Sequence, residues 1–429
     1  MIRPARSDVD YSKPLRVFSL GPRGIRRDGI SAGPKSIILL PREIRSLRTR
    51  QHPNITPRVA LSSFSSRPRF CYGVIVMTTC HLRADHAKPI DALLGNRAQR
   101  YFGDGFRQGT VRFTRAAATD PDENARCVGF GSLEYPGMWS LKSSGPQSIH
   151  VSTIDTYLLA VSAASSLLET TLLRGRRRGD DPLGSAWVRR CIIKAGTVPI
   201  EMGLDRIPVS ATRINSSDAA AGRVHVISVT VGNMLAILDI DTGSTVPPQS
   251  ATDVPRSYRG HATDLAGVTV APDFSSVSAD AEYRTVPGPA ESYAEIESRF
   301  PGSVTFAEAF VDMLQLGQVG LYAMDGFARA DSNTLWMRST HYEATTPIRP
   351  RESGERVTTE IHGARVVTLK GRRWRAATLV SHRPSMTLSC SVAHALPDIS
   401  LGKVGHDDSA AHGIAAGHRR VRSVDPAHQ

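Results

Sequence analysis

The stretch Ser152-Thr153-Ile154-Asp155-Thr156-Tyr157-Leu158-Leu159-Ala160-Val161, running on through Leu168 to Thr170, decides how the rest of the chain is read. Ile154, Tyr157, Leu158, Val161, Ser165 and Leu168 recur at the i, i+3, i+4, i+7 spacing of a helix with one face packed inward. Ser152 followed by Asp155 three positions on is a capping-box variant, so a helix is expected from about 153 to 170. Before it lies a loop containing Glu134-Tyr135-Pro136-Gly137, Trp139-Ser140-Leu141-Lys142, Gly145-Pro146 and Ile149-His150. Before that loop, 111–114 and 126–134 have strand character. After the helix a basic break, 174–179, leads into strand-like runs at 186–194, 207–214, 224–231 and 234–240.

The order then repeats. Residues 267–271 and 277–286 read as strands, and Pro287-Gly288-Pro289 as a loop. A helix is expected over 305–324, with Thr305 and Glu308 as its capping box and Phe306, Phe310, Met313, Leu314 and Leu321 as its apolar face. Strands follow at 335–344, 356–361, 364–369 and 374–381. Two strands, one long helix, then several strands is the order of a hotdog fold, an antiparallel sheet wrapped around a single helix. The expected class is therefore α+β, a tandem double hotdog of two sheets, each around its own helix. Domains are expected at 90–245 and 255–385.

The flanks differ in kind. Of the formal net charge of +13, residues 1–76 carry most, with 15 Lys and Arg against 4 Asp and Glu; the remainder holds 38 against 36. The folded body is near neutral, which argues against nucleic-acid binding. Residues 1–76 show no sustained period of 2 or 3.6. They are expected to be a disordered basic arm, an organelle transit peptide, or sequence upstream of a true start at Met77. Residues 402–429 scatter His406, His412, His418 and His428 among Gly, Ala and Arg and are expected to form a disordered tail, with no metal site. Five scattered cysteines without a Cys-x-x-Cys pair give neither a disulfide framework nor a zinc site. A reducing, cytoplasmic setting is expected, and no apolar run reaches the length of a membrane span. Phosphate-binding, dinucleotide-binding, zinc-protease and nucleophile-elbow motifs are all missing.

Two groups of residues are candidates for chemistry. The loop before the first helix brings an aromatic (Trp139), a cation (Lys142) and an imidazole (His150) to a helix start, where unpaired N–H groups favour negative charge. A thioester carbonyl there would be polarised at Ser152 to Ile154, and His150 or Asp155 could move a proton. The plainer reading makes Trp139 a core residue, Lys142 a solvated charge and His150 a loop pin. The second group, Glu308, Asp312, Gln315 and Tyr322, forms a polar stripe on the second helix. It either lines a substrate cavity or faces solvent.

Three ordered motifs resemble the avirulence protein D (AvrD) family. They are Arg100-Tyr101-Phe102-Gly103-Asp104-Gly105-Phe106; the block from Tyr135 to Lys142 with His150 to Asp155; and Gln315 to Val319 through Asp325-Gly326 and Thr334-Leu335-Trp336-Met337-Arg338. The resemblance implies synthesis of acyl-sugar signals of the syringolide type, and kinship with γ-butyrolactone-signal proteins that use hotdog-like folds. It further implies an acyltransferase or condensing enzyme that takes a β-ketoacyl group from an acyl carrier protein or coenzyme A thioester to a sugar-like polyol, with no tightly bound cofactor. The family supplies no residue assignment; from the residues themselves His150 is expected to be the base, Asp155 to orient His150 or the acceptor, and Trp139 to wall the acyl channel. Lys142 is expected to meet a phosphate, and Ser152, Glu308, Asp312 and Gln315 to bind substrate. A hotdog thioesterase or dehydratase, or a non-catalytic acyl- or lactone-binding protein, are the alternatives.

Overall fold

A computed structural model describes residues 88–118, 125–137, 139–172, 181, 183–214, 224–243, 258–286 and 296–397. The expected arm at 1–76, the break at 174–179, the loop at 287–289 and the tail at 402–429 lie outside these residues.

Both long helices form where their caps place them. The first, α1, is Thr153–Leu172. Ser152 Oγ accepts from the Asp155 N–H at 3.1 Å, and the Asp155 carboxylate accepts from the Ser152 N–H at 2.9 Å. The second, α2, is Phe306–Asp325, with the Thr305–Glu308 capping box complete and Gly326 at φ 71° closing its C-terminus in the left-handed region. Most of each helix is buried, as expected of a helix enclosed by a sheet rather than lying on a surface.

Twelve strands surround them. The first half contributes β1 (Thr110–Ala118), β2 (Arg126–Glu134), β3 (Trp187–Lys194), β4 (Ile207–Ile214), β5 (Val224–Val231) and β6 (Met234–Asp241). The second contributes β7 (His261–Val270), β8 (Ser276–Thr285), β9 (Trp336–Ala344), β10 (Glu355–Leu369), β11 (Arg372–Arg383) and β12 (Met386–Ala395). The alternation of buried and open positions is clean in β5, where His225, Ile227, Val229 and Val231 point inward.

All twelve join in the order β1-β2-β4-β5-β6-β3-β9-β12-β11-β10-β8-β7. Read from either end to the centre, the two halves have the same connectivity. Helix α1 packs on β1 to β6, and α2 packs on β7, β8, β10, β11 and β12. The layout is that of a tandem double hotdog, with one correction. The sequence suggested two sheets, but β3 and β9 pair antiparallel at the centre, with Tyr342 opposite Cys191 and Thr340 opposite Ile193, and make one. Pairing these strands satisfies two rows of backbone groups that would otherwise be open edges.

Two further details differ from the sequence reading. The expected strands 356–361 and 364–369 are one strand, β10, bent by a bulge between His362 and Arg365, with Gly363 at φ 60°. The last strand, β12, lies beyond the expected boundary at 385 and fills the gap between β9 and β11. Residues 88–108, three short helical turns and a π-turn, lie against β7 and α2. Among the described residues no helix is long and apolar enough to cross a membrane.

Helix α2 sits close to the sheet because Gly317 lets it. A Cβ at Gly317 would lie 2.3 Å from Cδ1 and 3.1 Å from Cγ of Leu379, which is fully buried. Gly317→Val is expected to destabilise the fold by about 1–3 kcal/mol through overpacking, read as a lowered midpoint in thermal or denaturant unfolding. An unchanged midpoint would show slack between helix and sheet.

Candidate active site

A cavity of about 1020 Å³ opens beside the start of α1, at the seam where β3 meets β9. Its wall draws on both halves. Trp139, Lys142, His150 and Ser152 come from the loop before α1; Lys194 ends β3; Trp336 begins β9; and Arg329 follows α2.

The start of α1 is fixed by a buried polar network. Asp155, 1% exposed, spends one carboxylate oxygen on the Ser152 N–H and accepts from Tyr135 Oη at 2.6 Å with the other. Ser152 Oγ lies 2.5 Å from Tyr101 Oη. Burial raises the Asp155 carboxyl above its usual range, against the pull of the hydrogen bonds from Tyr135 and Ser152. Asp155 does not reach His150, and it is absent from the cavity wall. The N–H groups of Thr153 and Ile154 have no hydrogen-bond partner among the described residues, and Thr153 lines the cavity.

His150 stands between two indoles, its ring centroid 4.3 Å from that of Trp139 and 5.4 Å from that of Trp336. Its Nδ1 lies 3.1 Å from the Ser148 carbonyl. A carbonyl only accepts, so Nδ1 carries the proton and Nε2 is left with its lone pair. Burial lowers the pKa of the ring and favours the neutral imidazole. The hydrogen bond to Ser148 does pin the loop, as the plainer reading had it, and in doing so it sets the tautomer. Trp139 is buried and stacks on Tyr101 as well, at 4.6 Å.

Lys142 is not a solvated charge. It is 8% exposed, and Nζ donates to the Arg329 carbonyl at 3.1 Å and to Ser332 Oγ at 2.5 Å. The Arg329 guanidinium in turn donates to the Leu141 carbonyl at 3.0 Å and to Ser140 Oγ at 2.8 Å. Neither cation has a carboxylate partner among the described residues. Burial, then the like charge of Arg329, draws Lys142 down to about 7.

The polar stripe of α2 is buried, and each carboxylate on it meets an arginine. Glu308 binds Arg351 at 2.8 Å and caps its own helix. Asp312 accepts from Arg383 at 2.6 Å, and Gln315 Oε1 accepts from Arg100 Nη1 at 2.8 Å. Neither the large cavity nor solvent receives Glu308, Asp312 or Gln315; they border a gap of about 10 Å³ under residues 97–107. The structure thus brings Trp139, Lys142, His150 and Ser152 together and keeps these three apart from them.

The family model for Pseudomonas avirulence D protein (AvrD) matches residues 86–397. The chain belongs to the AvrD family. No curated protein sequence matches it. Among solved structures, a TesB protein of Mycobacterium avium subspecies paratuberculosis is similar at 11% identity and a TM-score of 0.34, over 65% of this chain and 96% of that one. A hot dog fold protein of unknown function from Alicyclobacillus acidocaldarius gives 10% identity and a TM-score of 0.31, over 70% and 98%. The dehydratase domain from the CurJ module of curacin polyketide synthase gives 8% and 0.29, over 66% and 95%.

In this AvrD-family chain, Arg329, Trp336 and Tyr135 join the site without having been singled out for chemistry from the sequence. Arg329 and Trp336 sit in a segment that reads locally as a turn entering a strand. Only the contact with Lys142, 187 positions away, reveals the role of Arg329. Arg100 and Tyr101 belong to the family's opening motif, which was the one available signal for them.

The environment of Lys142 makes stability depend on pH with a definite sign. Folding holds the amine at about 7 against an ordinary 10.5, so between those values the unfolded chain binds the extra proton and stability rises with pH. Lys142→Met removes that rise. Denaturant unfolding of both proteins from pH 7 to about pH 9.5 should show wild-type stability gaining on the variant. A difference that is flat with pH would make Lys142 an ordinary ammonium.

Proposed function

We propose that this AvrD-family protein is an enzyme that transfers a β-ketoacyl group from a carrier thioester to the hydroxyl of a sugar-like alcohol. The observation that carries the reading is the neutral His150, with Nδ1 tied to a carbonyl and Nε2 unpaired, standing at the cavity beside the open start of α1.

Each part of the arrangement has a use in acyl transfer. Nε2 accepts the proton of the alcohol as its oxygen attacks the thioester carbonyl. The tetrahedral intermediate places negative charge on that oxygen, and the unpaired N–H of Thr153 and Ile154, with the positive end of the α1 dipole, are placed to receive it. The Ser152 N–H is already engaged by Asp155, so the oxyanion role narrows from the expected Ser152–Ile154 to the last two residues of that run. Asp155 acts at a distance: by holding Ser152 and Tyr135 it fixes the helix start rather than orienting His150. Trp139 and Trp336 flank the half-buried imidazole and limit its orientations. Arg329, with no carboxylate of its own, supplies permanent positive charge for a phosphate on the carrier arm or the acceptor. The carrier is acyl carrier protein or coenzyme A, and the acceptor is a small polyol.

The test is to incubate the protein with a β-ketoacyl thioester and a panel of polyols and to follow ester formation by mass spectrometry. His150→Gln is expected to lower kcat/KM by roughly 10²–10⁴-fold, the usual worth of a general base. In the wild type kcat/KM should rise with pH through an apparent pKa below 6.5, because the active form is the unprotonated ring. An undiminished rate in His150→Gln would remove the base from the scheme. Thiol release without any alcohol present would instead mark a hydrolase.

A further inference from the structure

The hydrogen-bond count around Lys142 asks for a neutral amine. Nζ has two acceptors, the Arg329 carbonyl and Ser332 Oγ. The Ser332 hydroxyl donates its own proton to the same Arg329 carbonyl at 2.7 Å, so toward Lys142 it can only accept. An ammonium has three N–H donors against two acceptors among the described residues; an amine has two and uses both. The charged groups nearby point the same way. Arg329 is a cation without a carboxylate, and Arg100 on the same cavity wall is a second cation already matched to Asp91. Against them stands only the Tyr322 ring face, its centroid 5.8 Å from Nζ, which favours the ammonium. No carboxylate among the described residues balances a charge on Lys142. With both N–H groups held by the loop after α2, the lone pair is the part of Nζ left over, and Lys142 lines the cavity.

We propose that Lys142 is a carbonyl-capturing amine that forms an imine with a ketone bound in this cavity. The ligand class is a ketone, either the β-keto group of the acyl chain or the keto group of a ketose-like acceptor. The step balances without a further reagent. The Nζ lone pair bonds to the ketone carbon, and the C=O π electrons move to oxygen, which is protonated. That proton comes from nitrogen; with a second, taken up from solvent, the oxygen leaves as water and a C=N bond forms with one proton still on nitrogen. Hydrolysis reverses it and restores the lysine. While it stands, the protonated imine acidifies the neighbouring C–H, so the added activity is proton removal beside a ketone, the first half of a carbon–carbon condensation. This deepens the acyl-transfer reading by giving the same cavity a second use, and it rests on that reading only for which ketones arrive.

Borohydride trapping tests it. The full chain is incubated with an acetoacetyl thioester, with dihydroxyacetone, or with a butyryl thioester that lacks a ketone; each is reduced with sodium borohydride and mapped by peptide mass spectrometry. The expected result is a reduction-dependent adduct on Lys142 from one or both ketones and none from the butyryl thioester, and the arm that reacts names the source. Lys142→Arg keeps N–H donors for the Arg329 carbonyl and Ser332 Oγ but has no nucleophilic lone pair, so it should abolish the adduct; circular dichroism checks that the variant is folded. Deuterium uptake at the carbon beside the ketone should fall to the uncatalysed rate in the same variant, a readout that a merely structural lysine would not move. Adducts spread equally over exposed lysines such as Lys194 and Lys370, adducts that form without reductant, or no adduct with any ketone would each overturn the proposal. Ester formation is scored separately. An adduct without ester sinks acyl transfer and leaves the imine standing, and ester without adduct does the reverse.

Discussion

The pairing of β3 with β9 is the contact on which the rest of the molecule depends. Each half alone is a six-stranded sheet on a single helix, with a strand of its inner edge unpaired. Joining Trp187–Lys194 to Trp336–Ala344 removes both edges at once and sets the two helices in one framework. It also decides where a cavity can be. The loop before α1 crosses the seam and is held by the segment after α2, through the Ser143 N–H on the Ala330 carbonyl and the Lys142–Arg329–Ser332 contacts. The counterpart in the other direction is the Arg299–Asp181 ion pair, between the turn before α2 and the segment after α1. One topology, used twice, thus produces two similar crossings.

The two crossings have diverged in their electrostatics. At α2 the capping carboxylate of Glu308 is matched by Arg351, and Asp312 further along is matched by Arg383, while residues 97–107 cover the helix start and leave almost no space. Buried charges paired in this way add little net stability, but removing one partner is costly, so they fix the second half as structure. At α1 the capping carboxylate of Asp155 is met by a tyrosine and a backbone N–H instead of an arginine, and the helix start is open. The segment carrying the family's opening motif serves both places. Arg100 binds Gln315 on α2, and Tyr101 holds Ser152 at α1.

How much of this was legible in the sequence follows from the range of the forces involved. The helices were readable because caps are local: Ser152 with Asp155 and Thr305 with Glu308 satisfy each other within three residues. Strand β12 was missed although Met386, Leu388, Cys390 and Val392 alternate with Thr387, Ser389 and Ser391, because Ser, Cys and Ala dilute the β-branched signal that marks a strand. His150 stands out as a candidate in the sequence because it sits beside a recognisable helix start. Asp155 was placed in the chemistry when its carboxylate was already committed to the cap that had revealed the helix. The α2 stripe was ambiguous because Arg351, Arg383 and Arg100 reach it from distant strands and turns, and no local pattern announces an ion pair across 71 positions or a hydrogen bond across 215.

The residues left unbalanced cluster around the large cavity. A core ordinarily matches each buried charge, as α2 does for Glu308 with Arg351 and for Asp312 with Arg383. Around the large cavity the matching fails in one direction only: Arg329 lacks a carboxylate, Lys142 lacks one, and His150 keeps an unpaired Nε2. Unmatched groups of this kind weaken a resting structure and persist where a ligand completes them. What would complete this set is an anionic group for Arg329, a proton donor for His150 and an electrophilic carbon for Lys142. On the proposed acyl transfer and imine formation, a phosphate-bearing carrier, an alcohol and a ketone would answer those three demands separately, at a seam where both halves contribute a wall.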